Sequence, residues 1–338
     1  MKKITFLVSN NCNFRCKHCF VCAGNKKDNE MNKEEKHRAI DKIYELGVEK
    51  ISFSGGEPLM DKNIFEYMSY AKQKKLKIGF LTNGLMLDDE KIKMLEKLEI
   101  DSLSISLYTN DIIELNQLIY DKYLEKTIDT LKKISKTSLE YKLTIPVSAF
   151  NIDDTYKLLK LIANNDLNPK TIRLYIITPV GRAKKNRNLC TENMDVTKLL
   201  NNLPKEAIKL NISIEHTDTD EKDCNKINKF SECQILKYKK NYINKYADPH
   251  MDVNGDLYLC GLLLRKQEYC IGNILSDSKN NIFGNIDKLV EKIEIRKKID
   301  PCPMLNRIQK KKRKLICPII YTENKQKTKI CKETNYEN

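Results

Sequence analysis

Through the first half of the chain, short β-branched runs alternate with amphipathic stretches of helical period, and few folds accommodate that alternation. Strands are expected at Lys3–Ser9, Lys50–Ser54, Lys77–Thr82, Ser102–Leu107, Tyr141–Val147 and Thr171–Ile177. Helices are expected between them, near Lys33–Leu46, Asn63–Lys74, Asp89–Leu98, Tyr120–Ser135 and Asp153–Asn164, with a further one near Val196–Leu203. Strands that alternate with helices pair in parallel, so the pattern predicts an α/β fold, a partial (β/α)6 TIM-like barrel. Its active site would lie at the carboxyl ends of the strands.

After Ile177 the sequence turns polar and basic, as in a loop leading out of the barrel. A domain boundary is expected between Gly181 and Pro204, giving a barrel over residues 1–203 and a smaller domain over 204–338. The second part holds seven cysteines from Cys224 onward and an Asn254-Gly255 pair between two strand-like runs, a hairpin signal.

The apolar run Ile4–Val8 is too short for a signal sequence, and no segment approaches the ~20 apolar residues of a membrane span. A cytoplasmic protein is therefore expected, with no membrane partner. Twelve cysteines without a secretion signal point to metal binding rather than to disulfides. The net charge of +15 is read chiefly as solvated lysine, and nucleic acid is not expected as a partner.

The sharpest motif, Cys12-Asn-Phe-Arg-Cys16-Lys-His-Cys19, directly follows the first strand. Three thiolates on one loop can converge on three corners of a cubane cluster and leave one iron open for chemistry. A zinc site lacking a fourth ligand, or free thiols, are the alternatives. Ser54-Gly55-Gly56-Glu57-Pro58 ends the second strand. Its glycines permit close backbone approach, and its carbonyls and glutamate can receive a protonated amine; taken alone it is only a turn.

Together, and in this order, the two motifs resemble the radical S-adenosylmethionine (radical SAM) superfamily, whose signature is CxxxCxΦC followed by a GGEP-like segment. The resemblance implies that Cys12, Cys16 and Cys19 hold a [4Fe–4S] cluster with one open iron. It further implies that S-adenosyl-L-methionine chelates that iron and is reductively cleaved to a 5′-deoxyadenosyl radical, which abstracts hydrogen from a substrate. Gly55, Gly56 and Glu57 would bind the cofactor's amino group, His18 would lie beside the adenine, and Asn83 and Ser106 would line the ribose and carboxylate. An electron donor such as flavodoxin or ferredoxin is implied as a partner. Cys22 is expected to be a structural thiol or a substrate-side group, since a fourth ligand would close the site.

The run from Asp252 to Cys260 resembles the start of a SPASM or twitch extension, whose hairpin carries G-x4-C, as Gly255 and Cys260 do here. The full SPASM cysteine run is absent, so one auxiliary [4Fe–4S] cluster is expected, with Cys233, Cys260, Cys302 and Cys317 as its ligands. Zinc, or no metal, is the alternative. Proteins of this architecture often mature ribosomally made peptides by crosslinking or epimerisation, and that is the function expected here, with Cys270 as a hydrogen donor if the outcome is epimerisation. Because the signature begins at Cys12, an amino-terminal leader-binding domain is not expected, which weakens the peptide reading. The basic run Lys310–Lys314 could hold an acidic leader but reads more readily as a solvated face. The alternatives are a small-molecule radical SAM dehydrogenase or cyclase, or an Fe–S sensor with no turnover.

Overall fold

The computed structural model describes residues 2–113, 117–148, 150–177, 180–190, 214–216 and 249–299. Six parallel strands follow one another in chain order: β1 (Lys3–Leu7), β2 (Lys50–Ser54), β3 (Lys77–Thr82), β4 (Ser102–Ser106), β5 (Tyr141–Val147) and β6 (Thr171–Ile176). Helices α1 (Lys33–Glu45), α2 (Ile64–Gln73) and α3 (Asp89–Lys97) join the first four strands. A short α4 (Asn110–Ile113) and a long α5 (Gln117–Ile134) lead to β5, and α6 (Ile152–Asn164) leads to β6. The expected partial (β/α)6 barrel is the observed fold.

The strand pattern sets the two faces of the sheet. Ile51, Phe53, Ile78, Phe80, Leu103, Ile105, Leu143 and Ile145 are fully buried and form one core with the apolar faces of the helices. The alternate residues, including Ser52, Ser102, Ser104, Lys142 and Thr144, are only half-buried and give the barrel a polar interior. Local caps fix the helix starts. At α1 the Asn32 side chain accepts from Glu35 N–H at 2.9 Å while the Glu35 carboxylate accepts from Asn32 N–H, also at 2.9 Å.

Beyond residue 203 the chain rejoins the same sheet. Strand β7 (Ile214–His216) pairs in parallel with β6. Strand β8 (His250–Met251) pairs in parallel with β1 on the other side, and β9 (Asp256–Tyr258) and β10 (Cys270–Asn273) extend it as an antiparallel ribbon. Gly255 closes the β8–β9 turn at φ +90, as the Asn254-Gly255 signal requires. Helix α7 (Lys279–Ile299) follows β10. The boundary expected at 203/204 thus does not separate two sheets, because backbone pairing at both edges of the barrel recruits later strands. The expected helix at Val196–Leu203 lies outside the described residues.

The ribbon is locked to the barrel by Arg265. Its guanidinium donates to both Asp252 carboxylate oxygens at 2.7 and 2.9 Å, to Asn10 Oδ1 at 2.9 Å and to the Val21 carbonyl. Burial works to raise the Asp252 carboxyl, yet the arginine fork holds it below the usual carboxylate range. Among the described residues no helix is long and apolar enough to cross a membrane.

Candidate active site

The carboxyl ends of β1 and β2 bring the cysteine loop and the Gly-Gly-Glu-Pro turn into backbone contact. Gly56 N–H donates to the Ser9 carbonyl at 2.7 Å and Glu57 N–H to the Asn11 carbonyl at 2.8 Å. A Cβ on Gly55 would lie 2.5 Å from the Ser9 carbonyl oxygen, and one on Gly56 2.2 Å from that of Asn11. Glycine is therefore required at both positions for the approach of the neighbouring loop.

Glu57 is also held from within the protein. Its carboxylate is 1% exposed and accepts from Leu59 N–H at 3.1 Å, Thr82 Oγ1 at 2.7 Å and Asn83 N–H at 2.8 Å. It ties the β2 turn to the β3 turn. Burial pushes the Glu57 carboxyl up to about 7 against these three donors.

Below the unfolded value of 4.5 this group is protonated whether the chain is folded or not. Between there and about pH 7 the folded chain keeps a proton that the unfolded chain releases, so the stabilisation from Glu57 is complete at the acid end and lost as pH rises through 7. The loss is on the order of 3 kcal/mol. Urea midpoints of apo wild type and Glu57→Gln across this range should show the variant's deficit shrinking as pH rises; a pH-independent difference would contradict the assignment.

The cysteine loop lies against a wall of aromatic rings. Cys16 is buried, Cys12 and Cys19 are half-buried, and all three belong to one apolar cluster with Phe14, Tyr108, Tyr123 and Ala183. Phe14 N–H points at Cys12 Sγ at 3.4 Å and Ala23 N–H at Cys19 Sγ at 3.2 Å, donors that favour thiolate. Burial pushes the thiols of Cys12 to about 11 and Cys16 to about 12, so both demand a positive partner to ionise. Among the described residues no three His, Cys, Asp or Glu side chains gather as ligands of a single ion.

The His18 ring packs on Tyr108 with centroids 5.8 Å apart, and its Nδ1 is buried with no protein partner. Burial, helped by the Arg182 charge, lowers its pKa to about 4 and keeps it neutral at neutral pH. Asn83 Nδ2 donates to Asn13 Oδ1 at 2.7 Å, tying the β3 turn to the cysteine loop. The Ser106 hydroxyl bonds the side chain of Tyr108, and Cys22 is exposed, in the left-handed region at φ 51.

Cys270 is not brought to this site. Register places Thr5, His250, Tyr258 and Cys270 in one row, so Cys270 is three strands from β1, about 14 Å sideways. Its Sγ faces the Gly272 carbonyl at 3.5 Å. The strand pairing thus places this thiol in the outer ribbon, beside the barrel rather than among the three cysteines of the loop. Cys260 is buried at the end of the hairpin. Cys233, Cys302 and Cys317 lie outside the described residues, as does the Lys310–Lys314 run.

Sequence reasoning missed the segment after β6, read there as an exit loop. Gly181-Arg182 folds back onto the cysteine loop, and the arginine donates to the carbonyls of Cys16 and Ala23. The only signal in the sequence was a Gly-Arg pair after a strand, too common to act on.

Comparison with known proteins places this arrangement. A profile of the radical SAM superfamily matches residues 6–162. A putative glycyl-radical enzyme activating enzyme of Methanocaldococcus jannaschii is 30% identical over 210 residues, 59% of this chain and 74% of that protein. The chain belongs to the radical SAM superfamily. An uncharacterised protein of the same archaeon is 26% identical over 294 residues, 83% of this radical SAM chain and 91% of the relative. Streptococcus suis SuiB, solved bound to its precursor peptide SuiA, shares the fold with a TM-score of 0.65 at 15% identity, over 86% of this chain and 66% of that one. Membership makes the protein an enzyme and implies a [4Fe–4S] cluster and S-adenosylmethionine.

Proposed function

We propose that Cys12, Cys16 and Cys19 hold the [4Fe–4S] cluster with one iron open, and that the enzyme acts on a ribosomally made peptide to crosslink or epimerise it. The observation that carries the cluster assignment is a pair of N–H donors aimed at Cys12 and Cys19 sulfur on a loop whose third thiol is buried beside an arginine. When bound, the cluster supplies the electron that cleaves S-adenosylmethionine to a 5′-deoxyadenosyl radical, the species that abstracts hydrogen.

The protein's own part is positioning. The Gly55 and Gly56 carbonyls and the Glu57 carboxylate, whose turn is fixed by bonds to Leu59, Thr82 and Asn83, are the acceptors for the cofactor's amino group. The unpartnered Nδ1 of His18 supports a place for that ring beside the adenine. Asn83 and Ser106 lie at the β3 and β4 ends, where ribose and carboxylate would bind. The aromatic wall of Phe14, Tyr108 and Tyr123 excludes water from the cluster side.

Residues 10–26 and 180–190 contain Arg15, Lys17, Lys26, Arg182, Lys184, Lys185 and Arg187 and no carboxylate. Such a cationic surface over the cysteine loop suits an acidic electron donor such as flavodoxin or ferredoxin. For the barrel's carboxyl-terminal partner we retain one auxiliary [4Fe–4S] cluster, with Cys260 and, from outside the described residues, Cys233, Cys302 and Cys317. The peptide reading is supported by the fold shared with SuiB and by the hairpin seated beside β1.

Incubating the reconstituted enzyme with short peptides encoded beside its gene tests the reading. Loss of a hydrogen pair indicates a crosslink, and uptake of a deuteron from heavy water indicates epimerisation. Peptides left unchanged while 5′-deoxyadenosine accumulates would overturn the peptide assignment and favour a small molecule.

A further inference from the structure

The cysteine loop from Cys12 to Gly24 has little regular structure, so its carbonyls depend on donors from elsewhere. Its ends are closed by Cys12 N–H to the Gly24 carbonyl at 2.7 Å and Gly24 N–H to the Asn10 carbonyl at 2.8 Å. Between those ends a single distant residue meets three carbonyls. Arg182 donates its backbone N–H to Cys19 at 3.0 Å, Nε–H to Cys16 at 2.8 Å and Nη1–H to Ala23 at 2.6 Å. The next turn adds Asn186, whose side chain reaches the Lys17 carbonyl at 3.3 Å.

Two of the three carbonyls belong to the cysteines themselves. Fixing the peptide planes of Cys16 and Cys19 fixes the direction in which their side chains leave the loop. Gly181 makes the approach possible: it sits at φ +59, and a Cβ there would lie 2.3 Å from the Cys19 carbonyl oxygen and 2.4 Å from that of Phe20. An arginine is needed because one planar fork must serve two carbonyls seven positions apart in the loop; a lysine ammonium is a single point donor on a flexible stem. The guanidinium also places a positive charge beside Cys16, where thiolate would otherwise be buried without compensation.

We propose that Gly181-Arg182 is a latch that holds the cysteine loop in its ligand-presenting shape, making Arg182 a positioning residue for the radical chemistry. The proposal rests on the assignment of Cys12, Cys16 and Cys19 to the cluster, but its first readout does not.

The test compares full-length wild type, Arg182→Lys and Arg182→Gln. Hydrogen exchange of the apo proteins is followed by mass spectrometry, and loss of iron from the reconstituted proteins to a ferrous chelator is timed. Exchange within residues 12–24 should accelerate about tenfold in both variants while peptides from β2 and β3 keep their wild-type rates. Iron should leave both variants about tenfold faster than wild type, and faster from the glutamine variant, which lacks the charge as well as the fork.

Unchanged exchange in the loop, or equal acceleration across the barrel, would overturn the latch. So would accelerated exchange with iron retained at the wild-type rate. If wild type itself takes up no iron, the cluster assignment fails, and the latch then stands or falls on the exchange rates alone.

Discussion

Alanine at Cys12, Cys16 and Cys19 together is expected to remove about four irons from the reconstituted protein and abolish the amino-terminal cluster. The loop itself should survive. Its ends are closed by backbone bonds between Cys12 and Gly24 and between Gly24 and Asn10, and its middle is held by Arg182 and Arg265 through carbonyls that the substitution leaves in place. The three losses are small in volume, and Cys16 is the buried one of the three, so the apo protein should lose only about 1–3 kcal/mol. Cys22→Ala, at an exposed neighbour of the trio, should keep its iron. Iron and sulfide analysis beside urea unfolding checks both halves. A triple variant that retains its iron would place the ligands elsewhere.

The second large effect is expected from Gly56→Ala. Its Cβ would stand 2.2 Å from the Asn11 carbonyl oxygen and 2.6 Å from that of Asn10, both backbone atoms that no rotamer change can move aside. The β2 turn would have to withdraw. It would give up Gly56 N–H to Ser9 and Glu57 N–H to Asn11 and disturb the Glu57 bonds to Thr82 and Asn83. A loss of about 3–5 kcal/mol follows from overpacking plus broken buried hydrogen bonds. Gly284→Ala is the control: it lies in α7, nothing stands within 4 Å of its added Cβ, and it should be neutral or stabilising by up to ~1 kcal/mol. Equal urea midpoints for Gly56→Ala and wild type would mean that the two loops are not in the contact described.

Local chemistry explains what the sequence made legible. The β2, β3 and β5 strands have the expected bounds because alternating β-branched residues face a buried helix layer on one side only, and that pattern has a period of two. The hairpin at Asn254-Gly255 follows from a turn that needs φ > 0. The motifs of the candidate site are legible for the same reason, since cysteine spacing and paired glycines are local features.

What was missed depends on residues far apart in the chain. The packing of Gly55 and Gly56 against the backbone at Ser9 and Asn11, and the bond that Glu57 accepts from the β3 loop, join segments that lie far apart in sequence. Arg182 and Arg265 reach the cysteine loop from after β6 and from the carboxyl-terminal ribbon, and neither has a sequence pattern that announces it. The position of Cys270 relative to the cysteine loop is set by the register of two later strand pairs, which no spacing of cysteines encodes.

The most direct test of the central claim is cleavage of S-adenosylmethionine. Wild-type protein reconstituted without oxygen is mixed with S-adenosylmethionine and dithionite, and 5′-deoxyadenosine is measured beside the Cys12/Cys16/Cys19→Ala variant. The account predicts 5′-deoxyadenosine and methionine from wild type and none from the variant. A wild-type protein with a full, reducible cluster that forms no 5′-deoxyadenosine would contradict it.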